Sequence, residues 1–370
     1  MKADPQIRRL LEDVAGRAPV DTEQGLAAVL RGRRSVVPRL ATAAVIALLV
    51  VVGIAVALQR SSRDGGFFRP DEQPEGSIAV LSRSAGEAFA YDLNAYDLAA
   101  GESSTIATQA GSVTAARWSP DGTRIAFTVE RDGGARYALV VANADGSQPY
   151  DVLVADKAEG TAGPDFISVA WSPDGALLAY SGRTPFRGRT VSIVGLDGTV
   201  MRVLDGHWES VAWSPDGFRL LLQGWPGSAP DGRFDLYTMR SDGTDLVQLT
   251  DDELIEHNPS WSPDGSRIVF ARAASTEDAN QDIFVMDSDG SNVRNLTRSP
   301  SFDVMPVWSP DGGWIAFASD RGGPAAQQPP AADEADITRT AIFVMRSDGS
   351  GVRSVLDPGP GVVFPQSWKP

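Results

Sequence analysis

Carboxylates that recur at one position of a short motif are the first candidates for chemistry in this sequence of 370 residues. An acid so placed could act as a general acid or base, or could ligate a metal ion. In the motif Trp-Ser-Pro-Asp-Gly, however, Pro presets a turn, Asp can bond its own backbone, and Gly takes the left-handed conformation. A functional acid is rarely needed five times, so we predict that these residues build hairpin turns: Asp121, Asp174, Asp216, Asp264 and Asp311.

Other groups that could carry out catalysis are scarce. The chain has no Cys, only two His (His207 and His257), and no G-x-S-x-G nucleophile motif. The stretch Asp287–Asn292 resembles the start of a calcium loop but lacks the Glu near position twelve. Sister repeats carry Arg240 and Arg346 where this stretch begins, which favours a hairpin turn. We therefore predict no enzyme activity, no cofactor and no metal site, with a carboxylate- or calcium-dependent lyase or hydrolase as an alternative.

The five complete motifs are spaced by 53, 42, 48 and 47 residues, and a partial sixth copy lies at Ser367–Pro370. Each is followed by an apolar strand, a second strand, an Asp-Gly turn and a short third strand, which predicts four-stranded units. Residues 77–370 then form an all-β fold, a six-bladed β-propeller of antiparallel blades. One blade is predicted to combine Gly361–Trp368 with strands near Ile78–Leu81, Ala88–Leu93 and Thr105–Ala107. Each motif Trp is predicted to pack against the next unit.

The order of these elements resembles a known repeat. A WSPDG motif, an IAF-like strand, an I(Y/F)VM-like strand, Asp-Gly and a final Leu-Thr are together similar to the TolB-like propeller repeat. The resemblance covers about residues 77–370, and its most typical stretch is Asn258–Gly265. It implies a six-bladed propeller.

An apolar run divides the chain. Residues 40–58 contain no charge and approach the roughly 20 residues that a helix needs to cross a bilayer, so we predict a transmembrane helix there. Residues 1–39 carry eight Lys/Arg and five acids, which favours a short cytoplasmic amino-terminal segment. Residues 59–76 are a linker, and the propeller would lie in the periplasm or outside the cell. Cleavage of the run as a signal after Ala55-Val56-Ala57 is the alternative.

The balance of charge bears on partners. Residues 59–370 carry 25 basic and 43 acidic residues, which argues against nucleic-acid binding. We expect a non-catalytic, envelope-anchored propeller that recognises a protein or a cell-envelope component. A membrane sensor or anti-sigma-like regulator that acts through residues 1–39 remains the alternative.

Strand directions predict where that partner binds. Both regular Asp-Gly turns of a unit lie on one face of the propeller, so the variable loops and the connections between units lie on the other. Arg and aromatic side chains are enriched in interface hot spots, and they gather in these variable segments on an otherwise acidic domain. The predicted contact residues are Arg183, Phe186, Arg187, Arg189, Trp208 and Trp225.

Overall fold

Alternating apolar strands separated by Asp-Gly turns fold into four-stranded antiparallel sheets in the computed structural model. The structure describes residues 74–84, 90–107, 112–157, 166–184, 188–227, 234–275, 278–321, 340–357 and 361–370. The segments predicted to be cytoplasmic and transmembrane, and most of the linker, lie outside these ranges. Within them, no helix is long and apolar enough to cross a membrane.

Six sheets make six blades in the described part of the chain, each with its inner strand given first. Blade 1 contains β24 (Gly361–Trp368), β1 (Ser77–Ser84), β2 (Asp92–Asp97) and β3 (Glu102–Ala107). Blade 2 contains β4 (Val113–Trp118), β5 (Arg124–Arg131), β6 (Arg136–Asn143) and β7 (Tyr150–Asp156), with a short 3-10 helix at Asp132–Gly134. Blade 3 contains β8 (Phe166–Trp171), β9 (Leu177–Thr184), β10 (Gly188–Gly195) and β11 (Val200–Leu204).

The other three blades repeat this order. Blade 4 contains β12 (His207–Trp213), β13 (Arg219–Trp225), β14 (Asp235–Arg240) and β15 (Val247–Gln248). Blade 5 contains β16 (Glu256–Trp261), β17 (Arg267–Ser275), β18 (Asp278–Asp287) and β19 (Arg294–Asn295). Blade 6 contains β20 (Asp303–Trp308), β21 (Trp314–Ser319), β22 (Ala341–Arg346) and β23 (Arg353–Leu356). The inner strands contact one another in a closed ring, which confirms the predicted six-bladed fold.

The blade shared by the two ends of the domain is also confirmed. β24 pairs with β1 from Ile78 opposite Trp368 to Ser84 opposite Gly361. Lys369 N donates to the Ser77 carbonyl at 2.8 Å, and Trp368 Nε1 donates to the Glu75 carbonyl at 2.9 Å. Pairing the ends in this way removes two exposed strand edges.

The motif turns have the structural role predicted for them. Ser119 Oγ donates to Asp121 Oδ1 at 2.5 Å and accepts from Arg124 N at 2.9 Å. The hydrogen bond from Ser119 is the main cause that lowers the pKa of Asp121 to about 2. The same Ser-to-Asp bond recurs in the other four motifs, so these carboxylates serve their own hairpins.

Each motif Trp packs between two blades. Trp171 of blade 3 donates Nε1 to the Arg117 carbonyl of blade 2 at 3.0 Å, and the Arg124 guanidinium lies 4.9 Å from its ring centroid. Lys369 of blade 1 lies over Trp118 of blade 2 in the same way, at 5.1 Å. The prediction that each Trp packs against the next unit is therefore wrong in direction. Side chains of a strand alternate between its two faces, and this position faces the preceding blade.

Candidate functional site

The propeller has two different faces because every inner strand runs in the same sense. In blades 2 to 6 the inner strand ends at a Ser-Pro-Asp-Gly turn, and the antiparallel order places the second Asp-Gly turn of the blade on that same side. We call this side the turn face. The other side, the loop face, carries the connections between blades and the loops between the second and third strands of a blade.

The residues predicted to contact a partner differ in how exposed they are in the structure. Arg183 of β9 is partly exposed and lies opposite Arg189 of β10. Arg189 is buried, and its Nε lies 3.1 Å from Glu209 Oε1. Trp225 at the end of β13 is partly exposed. Phe186 and Arg187 lie outside the described residues.

Trp208 requires a correction. Its side chain has no exposed surface, and its Nε1 donates to the Asp205 carbonyl at 3.1 Å. The ring packs among apolar side chains of blades 3 and 4, including Val191 and Leu220. Trp208 therefore stabilises the junction between blades and presents no ring to a partner.

Trp225 belongs to a row of rings that crosses from blade 4 to blade 5. His207 stacks on Trp225 with centroids 4.1 Å apart and planes 8° apart. Trp225 lies 5.1 Å from Phe234, and Phe234 lies 6.2 Å from His257. We name His207, Trp225, Phe234 and His257 the loop-face aromatic cluster. All four residues are partly exposed, and the cluster contains both histidines of the chain.

Sequence reasoning missed three members of this cluster. The residues predicted to contact a partner include Trp225 but not His207, Phe234 or His257. The repeat offers no signal for the two histidines, because His207 lies six residues before the motif Trp213 whereas His257 lies four residues before Trp261. Phe234 and His257 come together only where blades 4 and 5 meet.

Polar contacts hold the cluster in place. Glu209 Oε1 lies 3.1 Å from His207 Nε2 and 3.1 Å from Arg189 Nε, so one carboxylate links the two side chains. Gln223 Nε2 lies 3.3 Å from His257 Nδ1, and burial lowers the pKa of that imidazole. The site is therefore a partly exposed aromatic surface with a hydrogen-bonded polar border.

Gly224 allows the strands beneath His207 to approach each other. Its φ is 146°, and a Cβ at this position would lie 1.9 Å from the His207 carbonyl oxygen. No other residue type fits such a contact without a shift of the backbone. The stacking of His207 on Trp225 therefore depends on a glycine next to Trp225 in the sequence.

Between the inner strands lies the second candidate site, a central channel with a cavity of about 230 Å³. Much of its lining consists of hydroxyl and amide side chains: Thr114, Ser168, Ser210, Ser260, Gln223, Asn258 and Gln366. Among the described residues that line it, only Arg117 and Glu209 are charged. Such a lining suits a polar ligand.

The buried acids near the blade junctions are engaged in ion pairs. Glu256 has no exposed surface and accepts from Arg272 Nε at 2.9 Å and from Thr250 Oγ1 at 2.9 Å. Burial raises the pKa of Glu256 to about 7, and the opposing effect of Arg272 is smaller. Asp303 occupies in blade 6 the position that Glu256 occupies in blade 5, and it pairs with Arg321 Nη2 at 2.5 Å. Within the described residues, no group of three or more His, Asp or Glu could hold a metal ion.

Comparisons with known proteins give relatives for this domain. The family model of the TolB beta propeller domain matches residues 134–275. The Tol-Pal system protein TolB of Bordetella pertussis (strain Tohama I) is 31% identical over 149 residues, which are 40% of this chain and 32% of that protein. The chain spans less than half the length of the curated relatives it matches.

Solved structures share the fold. The crystal structure of TolB from Acinetobacter baumannii has a TM-score of 0.62 at 19% identity, covering 80% of this chain and 67% of that one. The structure of a putative TolB from Agrobacterium tumefaciens has a TM-score of 0.55 at 25% identity, covering 78% of this chain and 91% of that one.

Proposed function

We propose that this TolB-like six-bladed β-propeller is a non-catalytic recognition module of the cell envelope that binds a protein partner through its loop face. The observation that carries the proposal is the loop-face aromatic cluster. Its rings are partly exposed, and Trp is among the residue types that dominate interface hot spots. Curated relatives named for the Tol-Pal system agree with a role within a multi-protein system.

Two negative observations support recognition over catalysis. The five motif carboxylates are hydrogen-bonded within their turns, and the buried acids Glu256 and Asp303 are paired with Arg. General acid–base catalysis needs a titratable group that can reach a substrate. The aromatic cluster does contain two imidazoles, but His257 lies beside Gln223 and His207 lies beside Glu209, in positions that hold the rings in place.

Anchoring is the second part of the proposal. Residues 40–58 are apolar and uncharged, which favours a single membrane span with residues 1–39 in the cytoplasm and the propeller in the periplasm or outside the cell. The linker would join the propeller at the turn face, because Glu75 and Ser77 bond to Trp368 and Lys369 there.

A photocrosslinking experiment tests the choice of face. A photoreactive amino acid replaces Trp225 on the loop face in one variant and Phe218 on the turn face in the other, and both variants are expressed in intact cells. Phe218 is a matched control because it is an exposed aromatic residue, with 66% of its surface accessible, and belongs to the same blade. We expect a discrete crosslinked protein at position 225 and none at 218. Equal crosslinking at both positions would contradict a loop-face site.

A second measurement separates binding from folding. Trp225→Ala, alone and combined with Phe186→Ala, should weaken capture of the crosslinked protein while thermal unfolding stays within a few degrees of wild type. Undiminished capture, or loss of the folded domain, would favour a purely structural role for Trp225.

Topology needs its own assay. Protease added to spheroplasts should degrade the propeller, whereas protease added to intact cells should not if the propeller lies in a periplasm. A propeller protected in spheroplasts would refute the orientation. A soluble mature form that starts near Leu58 would show that residues 40–58 act as a cleaved signal.

A further inference from the structure

One register position of the inner strands breaks the repeat in charge, and Arg117, Ser260 and Val307 at this position line the central channel. In every blade, the residue immediately before the motif Trp pairs with the same position of the second strand. In blade 2, for example, Arg117 pairs with Ala126. Five of the six blades place a short uncharged side chain there: Ala170, Ala212, Ser260, Val307 and Ser367. Blade 2 places Arg117 there. A long cation at one of six equivalent positions is not required by the fold.

The Arg117 guanidinium has no counter-charge among the described residues. Its Nη1 donates to the Ala116 carbonyl at 2.9 Å, and no carboxylate lies within ion-pair distance of it in the described part of the chain. The other charged residue of the channel lining, Glu209, is already engaged by Arg189 and His207. Burial lowers the pKa of Arg117 to about 10, a value that still leaves it protonated at neutral pH. The channel therefore contains one uncompensated positive charge.

A partly desolvated charge without a partner lowers the stability of the folded state. Nothing in the described fold offsets this cost, because the bond to Ala116 is made to the neighbouring residue of the same strand. Such a charge is instead suited to a ligand that brings the opposite charge. A guanidinium offers a planar fork of N–H donors that matches a carboxylate in a bidentate geometry.

We propose that the central channel is a carboxylate-binding site in which Arg117 receives the carboxylate. One guanidinium without a second cation balances one negative charge, which favours a carboxylate over a phosphate that carries nearly two. The cavity of about 230 Å³ and its hydroxyl and amide lining suit a small organic acid or an acidic side chain of a partner. Arg117 does not belong to the loop-face aromatic cluster, so variants of Arg117 test this site separately from the proposed partner surface.

Ligand-induced stabilisation tests the site on the purified full-length protein. A ligand that binds only the folded state raises its unfolding temperature as the ratio of free ligand to Kd grows. Sodium acetate is titrated against sodium chloride at equal ionic strength, and Trp fluorescence follows thermal unfolding. We expect acetate to raise the midpoint of the wild type and to leave that of Arg117→Met unchanged.

Two control variants accompany Arg117→Met. Arg124→Met removes a neighbouring arginine of blade 2 that stacks on Trp171 and does not line the channel, so it should keep the acetate response. Arg117→Lys keeps the charge but loses the fork, so its apparent affinity for acetate should fall several-fold. This second substitution also serves if Arg117→Met does not fold. An equal acetate response in wild type and both Arg117 variants would overturn the proposal.

The stability of the unliganded protein gives an independent readout. Arg117→Met should unfold at a higher temperature than wild type without acetate, because it removes an uncompensated charge. A lower unfolding temperature, combined with an unchanged acetate response, would show that Arg117 serves the fold alone.

Calorimetric titration distinguishes the two sources of the carboxylate. The probes are succinate, acetyl-Gly-Glu-Gly-amide and the matched acetyl-Gly-Gln-Gly-amide. Tighter binding of succinate would assign the site to a free organic acid, and tighter binding of the Glu peptide to an acidic side chain of a partner. Binding of the Gln peptide as tight as that of the Glu peptide, no heat from any probe, or a stronger response to inorganic phosphate than to acetate would each refute a carboxylate site.

Discussion

Closure of the ring through Trp368 provides the most direct test of how the propeller is stabilised. Only 5% of Trp368 is exposed, and its ring packs with Ile78, Val80 and Trp314 across blades 1 and 6. Truncation of such a large buried side chain costs about 3–5 kcal/mol. Loss of the Nε1 bond to the Glu75 carbonyl adds about 1 kcal/mol. We therefore expect Trp368→Ala to destabilise the propeller by about 4–6 kcal/mol.

Urea unfolding of the full-length protein, followed by circular dichroism, measures this change. Trp368→Phe keeps an aromatic ring but loses part of the indole together with its Nε1 donor. Trp308→Phe is its matched control, because Trp308 occupies the same motif position in blade 6 and its buried Nε1 has no hydrogen-bond partner among the described residues. Trp368→Phe should cost about 1 kcal/mol more than Trp308→Phe, the net value of one hydrogen bond.

The result that would refute this reasoning is a Trp368→Ala variant within about 1 kcal/mol of wild type, well below the usual cost of a buried Trp. It would mean that the β24–β1 pairing closes the ring without the side chain that joins it to blade 6.

Three further outcomes follow from the structure. Gly224→Ala should lower the unfolding temperature far more than Gly227→Ala. Both glycines have positive φ, but only at position 224 would a Cβ lie against backbone atoms. Equal effects of the two substitutions would contradict the close approach of Gly224 to His207. The Glu256 carboxyl has a pKa raised above its unfolded value, so protonation favours the folded state, and its contribution to stability should be lost as pH rises from about 4.5 to about 7. Urea midpoints across that range should fall less steeply for Glu256→Gln than for wild type, and parallel slopes would refute the shift. Deletion of residues 361–370 removes an inner strand and exposes two edges, so it should abolish cooperative unfolding, and an unchanged melting temperature would rule out the shared blade.

Most of the fold was accessible from the sequence because its determinants are local. Pro, Asp and Gly set the backbone of each motif turn over four residues, and Ser119 and Asp121 bond within the same turn. Period-two alternation then marks the strands, and the regular spacing of the motifs gives the number of blades. The closing blade could be predicted as well, since an unpaired inner strand at one end complements three strands at the other.

The site could be predicted only in part because its contacts join blades. In the sequence, Trp208 and Trp225 are both aromatic residues of variable segments. In the structure, Trp208 fills the junction between blades 3 and 4, whereas Trp225 is partly exposed beside His207. Which of them is covered depends on how the faces of two sheets meet, and no pattern within a blade encodes that. The prediction that each motif Trp packs against the next blade was wrong for the same reason.

The sequence by itself determined the turns of the blades, because hydrogen bonds between residues a few positions apart specify them. It also determined how the ends join, because an unpaired inner strand at one end complements three strands at the other. Only the tertiary structure decided which side chains share a surface or a cavity. Phe234 meets His257 across two blades, and Arg117 faces a channel to which six inner strands contribute. The physical reason is that burial and the presence or absence of a counter-charge depend on neighbours in other blades, which are fixed only when the ring is closed.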